Sequence, residues 1–234
     1  MTTLGARFSA AVAVDPTRPL LTWYDDGKDE RTELSGATLA NWVAKTANLL
    51  VSGTGLDAGD RAVALLAPHW QTAAVLLGCW SAGIVVSMLP GEAEVGFATP
   101  PRAAELTQPE RYLVGLHPLG LPLPEVPDGY ADFTGAARGF GDRFAPSVPI
   151  DADDPAGFGY SHTELIAAAV QRAEKLEIEP GDRVLIDAAR YPDPLNWLLA
   201  PLSVDATIVL CGQLDPDKVW ERVGAERVTR NLAG

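Results

Sequence analysis

Gly59-Asp60-Arg61-Ala62-Val63-Ala64-Leu65 and Gly181-Asp182-Arg183-Val184-Leu185-Ile186-Asp187 decide how this chain is read. Each sets a Gly-Asp-Arg turn directly before an apolar run. Such a run, without alternation, reads as a parallel strand covered on both faces. The surroundings repeat too. Ser35 opens a helical stretch that reaches Leu50, with Leu39, Trp42, Val43, Ala47 and Leu50 at helical spacing, and a second helix over residues 70–82 leads to the strand 84–89. In the later copy, Ser161-His162-Thr163-Glu164 has the Ser-x-x-Glu form of a capping box. Its helix runs to Leu176; after the Gly-Asp-Arg strand come a helix over 195–202 and the strand 206–211. Self-similarity of this kind predicts two related α/β lobes.

Working outward, Leu20-Leu21-Thr22-Trp23-Tyr24, the turn Asp25-Asp26-Gly27-Lys28 and Arg31-Thr32-Glu33-Leu34 predict a hairpin. Asp215-Pro216 caps and starts a last helix through Val223, and Arg227-Val228-Thr229 reads as a short final strand. Between the copies Pro and Gly accumulate, and only Tyr112-Leu113-Val114 looks strand-like. The expectation is one α/β domain over residues 1–234, made of two related, mostly parallel sheets with flanking helices in three layers. Lobe one covers about 1–92, an irregular connecting section about 93–150, and lobe two about 151–234.

The 234 residues suffice for a sizeable core, and 47% hydrophobic with 21% charged residues is ordinary for a globular chain. A net charge of -13 disfavours nucleic acid and anionic membrane surfaces, both of which carry the same sign. Cys79 and Cys211 lie in apolar runs away from any His or Cys at ligand spacing, so both read as reduced core residues and no metal site is expected. Residues 1–14 lack the basic, then apolar, pattern of a secretion signal, and no segment reaches spanning length without charge or Pro; the cytoplasm is the expected compartment.

Leu21-Thr22-Trp23-Tyr24, Glu33-Leu34-Ser35, Ala47-Asn48, Gly59 to Ala64 and Ser81-Ala82-Gly83 resemble the opening of the AMP-dependent synthetase and ligase superfamily, the adenylate-forming enzymes. Ser161 to Leu165, Pro180 to Leu185, Asp205 to Val209, Asp215-Pro216 and Arg227-Val228-Thr229 resemble the segment that follows the family's phosphate loop. The resemblance covers about two thirds of the chain and implies the acyl-CoA synthetase-like amino-terminal subdomain. It further implies activation of a carboxylic acid with ATP and Mg²⁺, chemistry that needs backbone amides and a Lys around the phosphates.

Where the family carries a loop rich in Ser, Thr and Gly ending in Pro-Lys-Gly, this chain reads Asp154-Pro155-Ala156-Gly157-Phe158-Gly159-Tyr160-Ser161, and no Lys lies between Lys45 and Lys175. The family's Thr-Glu motif, its ribose-binding Asp and its mobile carboxy-terminal domain fall after Gly234. The expectation is therefore a truncated, degenerate relative without acyl-activating catalysis and with no cofactor. It would act by binding a small acyl-type or nucleotide-like ligand or a protein partner, with homo-oligomers as a secondary expectation. The alternative is a carboxylate-activating ligase, using ATP and Mg²⁺, completed by a second polypeptide.

Tyr191 falls where the resemblance places an aromatic ahead of a His in the acyl pocket, and Pro192 replaces that His. Tyr191, Asn196 and Trp197 are the candidate pocket residues, against ordinary packing; no catalytic, cofactor or metal residue is assigned. Ser161 beside His162 misses the Gly-x-Ser-x-Gly elbow and reads as a helix cap. Gly139-Phe140-Gly141-Asp142 is a turn, His69 a helix-start residue and His117 a loop residue; Trp42, Trp70, Trp80 and Trp220 read as helix-face core or interface.

Overall fold

A computed structural model describes residues 2–233. From the amino end come helix α1 (Leu4–Val14), the hairpin β1 (Pro19–Asp25) and β2 (Glu30–Ser35), helix α2 (Gly36–Asn48), strand β3 (Arg61–Leu65), helix α3 (Trp70–Ser81) and strand β4 (Val85–Ser87). The middle contributes β5 (Val95–Ala98), β6 (Glu110–Leu113), β7 (Ala131–Asp132) and α4 (Phe133–Arg138). The remainder holds β8 (Pro155–Gly157), β9 (Tyr160–Ser161), α5 (His162–Lys175), β10 (Arg183–Asp187), α6 (Ala200–Ser203), β11 (Thr207–Gly212), α7 (Val219–Ala225) and β12 (Arg230–Asn231).

The chain divides into two compact units. One contains the residues before Arg7 with Ala40–Ala67 and Gln71–Glu164; the other contains Arg7–Leu39, Pro68–Trp70 and the residues from Leu165 onward. The first unit holds a seven-stranded sheet, ordered β7-β6-β5-β3-β4-β8-β9 and parallel except for the β8–β9 pair. Helix α3 has no charged residue and is buried from Trp70 to Trp80, as its composition requires. It runs so close to α2 that a Cβ on Gly78 would stand 2.6 Å from Thr46. Trp80, Phe97 and Phe133 are fully buried in this unit, with Phe97 edge-on to Phe133.

The second unit holds a five-stranded sheet, β12-β10-β11-β1-β2, in which only β2 runs antiparallel to its neighbour. The mostly parallel α/β architecture in two sheets is therefore observed. Its distribution along the sequence differs from the expected lobes. The hairpin at 19–35 pairs with β11, with Leu21 opposite Ile208 and Trp23 opposite Leu210, and so joins the sheet of the later copy. Strand β1 is buried along most of its length, and a strand covered on both faces needs a neighbour on each edge.

The connecting section is likewise not a run of loops. Val95–Ala98 is buried at every position and pairs with β3, while β6 and β7 extend the sheet outward. Four smaller corrections follow. Helix α1 occupies residues not assigned to any element from sequence; residues 195–199 form a π-helical turn ahead of α6; the final strand lies at Arg230–Asn231; and Trp220 stands 78% exposed, so it is not core. Cys79 and Cys211 are buried free thiols, each pushed up to about 12 by burial.

Candidate functional site

The segment that stands where the resemblance places a phosphate loop is a tight hairpin. Strands β8 and β9 pair antiparallel, Pro155 opposite Ser161 and Gly157 opposite Tyr160. The two linking residues, Phe158 (φ 57°) and Gly159 (φ 81°), both sit in the left-handed region, as a two-residue hairpin turn demands. Gly157 (φ 130°) lies opposite Val86 of β4, and a Cβ there would approach the Val86 carbonyl oxygen to 2.1 Å. Only glycine permits that approach. The indole Nε1 of Trp80 donates to the Ala156 carbonyl at 3.0 Å, tying β8 to α3.

The start of α5 follows at once, and its amide donors are already engaged. Ser161 N–H donates to Glu164 Oε2 (2.9 Å) and Glu164 N–H to Ser161 Oγ (3.2 Å), the reciprocal capping box expected from sequence. His162 N–H donates to the Asp154 carbonyl (3.2 Å), and Thr163 N–H to the Ala152 carbonyl (2.9 Å). A helix start binds an anion through amides that have no other acceptor. Here those four have one each, and the acceptor in the first turn is itself a carboxylate.

Ser161 and His162 do not form a nucleophile–base pair. His162 is fully buried, and its Nδ1 accepts from Leu4 N–H at 3.4 Å. Burial, opposed by Asp154, holds its pKa below the ordinary value, so the neutral ring is favoured.

Beside the hairpin lies a cavity of about 690 Å³ on the β3–β4–β8 part of the sheet. Val63 and Val85 line it, with Phe158 and Tyr160 from the hairpin. Its charged groups are Arg61, Glu92, Asp153 and Glu164. Three carboxylates against one guanidinium, without a lysine, form a poor surround for a triphosphate.

The candidate pocket residues lie in the other unit, on the connection that leaves β10. Tyr191 N–H donates to the Asp187 carbonyl (3.0 Å), and Arg190 lies over its ring at 5.6 Å. Asn196 and Trp197 share the π-helical turn that starts at Leu195, both amides donating to the Asp193 carbonyl. Trp197 is fully buried, and neither its Nε1 nor Asn196 Oδ1 has a hydrogen-bond partner among the described residues. The turn thus brings Asn196 and Trp197 together, with the Trp197 indole in the interior.

Sequence reading did not reveal the densest polar cluster, also in this second unit. Glu226, 6% exposed in its side chain, accepts from Tyr24 Oη (2.6 Å), from Arg31 Nη2 (2.9 Å) and from Arg183 Nη2. Burial works against its charge, and bonds from Tyr24, Arg183 and Arg31 outweigh it, holding the carboxyl below its usual range. Asp26 is matched bidentately by Arg222 (2.6 and 3.1 Å), whose guanidinium also lies 4.0 Å from the Tyr24 ring centroid. Burial again opposes, and Arg222 with the Asp215 amide prevails, so Asp26 is lowered. Positions 24, 26, 31, 183, 222 and 226 carry no local pattern that would announce the cluster. His117, read as a loop residue, accepts from Leu119 N–H at 3.1 Å.

Among the described residues no group of three or more His, Cys, Asp and Glu is placed to hold a metal ion, and no helix is long and apolar enough to cross a membrane.

No protein-family model matches the chain. Its fold is similar to that of an acyl-CoA synthetase from Brucella canis (TM-score 0.76, 17% identity, 98% of this chain and 47% of that one). It is similar also to the acetoacetyl-CoA synthetase of Streptomyces lividans (TM-score 0.73, 20% identity, 97% and 41%). The N-terminal domain of FACL13 from Mycobacterium tuberculosis matches at TM-score 0.67, with 17% identity, 97% of this chain and 62% of that one. The chain thus spans between 41% and 62% of these neighbours' lengths, and has the fold of their amino-terminal part. In sequence it is 36% identical over 238 residues to the TIGR03089 family protein of Mycobacterium tuberculosis H37Rv, with 97% of each chain covered. The chain belongs to the TIGR03089 family.

Proposed function

We propose that this member of the TIGR03089 family uses the acyl-CoA synthetase fold as a binding protein and does not adenylate carboxylic acids. The observation that carries this reading is the hairpin at Pro155–Ser161 with the start of α5. Four amides are already bonded within the chain, a glutamate sits in the first turn, and the adjoining cavity carries three carboxylates. Adenylation builds negative charge on a departing pyrophosphate, and each missing donor costs about 3–4 kcal/mol of transition-state stabilisation.

Two routes to a binding role are present. Small ligands have the hairpin cavity and, in the other unit, the unpartnered polar atoms of Asn196 and Trp197. Protein partners have exposed apolar groups such as Leu89 and Trp220. The test is calorimetric titration with ATP and Mg²⁺, together with carboxylate-dependent pyrophosphate exchange by the pure chain. The expected result is no micromolar binding and no exchange above the blank. Exchange by the pure chain overturns the reading; exchange that arises only when a second polypeptide is added establishes a partner-completed ligase instead.

A further inference from the structure

The same lining that disfavours a triphosphate specifies another kind of ligand. The cavity's volume of about 690 Å³ is that of a small-molecule site. Its apolar part comes from Val63 and Val85 of the sheet and from Phe158 and Tyr160, which are 41% and 45% exposed. The carboxylates at its edge are only partly used by the chain. Asp153 commits Oδ1 to Thr163 Oγ1 (3.1 Å), Glu164 commits Oε2 to the Ser161 amide (2.9 Å), and neither is ion-paired among the described residues.

We infer that this cavity binds an organic cation with an apolar body, such as a quaternary ammonium carrying an aromatic or alkyl group. The inference rests on the reading above that the site holds no nucleotide. Aromatic faces attract such cations, and a quaternary ammonium is weakly hydrated enough to leave water for an apolar wall. Three carboxylates facing one Arg61 leave a net charge of the right sign, and the overall charge of -13 adds to it. An anion of equal size meets the opposite field. A neutral one gains only the apolar contact.

The experiment is an amide-resolved NMR titration of the full chain with benzyltrimethylammonium, benzoate and benzyl alcohol, all built on one aromatic ring. The cation is expected to give saturable shifts at Gly91, Glu92 and residues 157–161, and to bind at least about tenfold tighter than benzyl alcohol. Its binding should weaken several-fold between about 20 and 500 mM salt. Glu92→Gln and Tyr160→Leu, each checked by thermal melting, should each weaken it by about three- to tenfold. The salt series on the unaltered chain keeps the test independent of how the variants fold. Equal or tighter binding of benzoate or benzyl alcohol overturns the inference. So do shifts confined to other residues, no effect of Glu92→Gln, or no saturation below about 20 mM. Binding of ATP with pyrophosphate exchange defeats the proposed function itself; silence toward both ATP and the cation defeats only the cation site.

Discussion

The two Gly-Asp-Arg turns are built alike and used differently. Gly59 and Gly181 both have positive φ, 96° and 85°. The carboxylates of Asp60 and Asp182 each accept from the amide three residues earlier, Asp57 at 2.8 Å and Glu179 at 2.7 Å. The carbonyls of Asp60 and Asp182 each receive the next strand, from Val85 N–H (2.8 Å) and Thr207 N–H (2.7 Å). The likeness even reaches a third strand: Glu94 and Arg61 bond each other as Thr229 and Arg183 do, and β5-β3-β4 has the order of β12-β10-β11. The arginines then part. Arg61 is exposed and lines the cavity, whereas Arg183, 16% exposed in its side chain, is held by Glu226 and Thr22. Gly and Asp in the motif make the turn; the Arg is left for each unit to use.

The largest effects should fall on that last difference. Arg183→Met removes one partner of a nearly buried carboxylate that keeps Arg31 and Tyr24, and should cost about 2–3 kcal/mol in urea unfolding. Arg61→Met should stay within about 0.5 kcal/mol. Equal costs for the two would mean that the Arg183–Glu226 contact contributes nothing. The turn carboxylates should differ less. Asp60→Ala loses a turn hydrogen bond worth about 1 kcal/mol, and Asp182→Ala should cost about 1 kcal/mol more because Asp182 also accepts from Thr229 Oγ1 at 2.6 Å. A smaller loss at Asp182 than at Asp60 would refute that added role.

What could be read in advance follows the same division. Elements announced by local chemistry were legible: the capping box at Ser161, the uncharged and mostly apolar α3, the uninterrupted strands β3, β10 and β11, and the shortened segment at 154–161. Pairing over long separation was not. Nothing near Pro19–Asp25 says that it lies beside Thr207–Gly212, so the hairpin was placed with the wrong sheet. Val95–Ala98 is a four-residue strand amid Gly and Pro, too short for periodicity to mark it. The site shows the same limit. The shortening of the segment at 154–161 was legible because it is local; its folding into a tight hairpin was not, the full lining of the cavity beside it comes from four separate stretches of chain, and the Glu226 and Asp26 clusters join residues up to 202 apart.

The two helix starts offer the finest comparison. Ser35 Oγ accepts from Thr38 N–H (3.1 Å) and Ser161 Oγ from Glu164 N–H, but the residue after the cap is Gly36 in one and the buried His162 in the other. His162 needs a bare Nδ1 to accept from Leu4 N–H; a proton there would set two donors face to face. Since its native pKa lies below the ordinary 6.5, the unfolded chain takes up a proton before the native one. The stabilisation is therefore complete above about pH 6.5, declines as the pH falls below that value, and levels off once the native ring also protonates. His162→Asn, whose Oδ1 stands near the position of Nδ1 and cannot titrate, should flatten this part of the profile while conserving most of the stability at about pH 8. The measurement is the urea midpoint from about pH 5 to 8 for both chains. Parallel profiles would show that the acid sensitivity has another source, the lowered carboxylates Asp26 and Glu226 being next in line at more acidic pH.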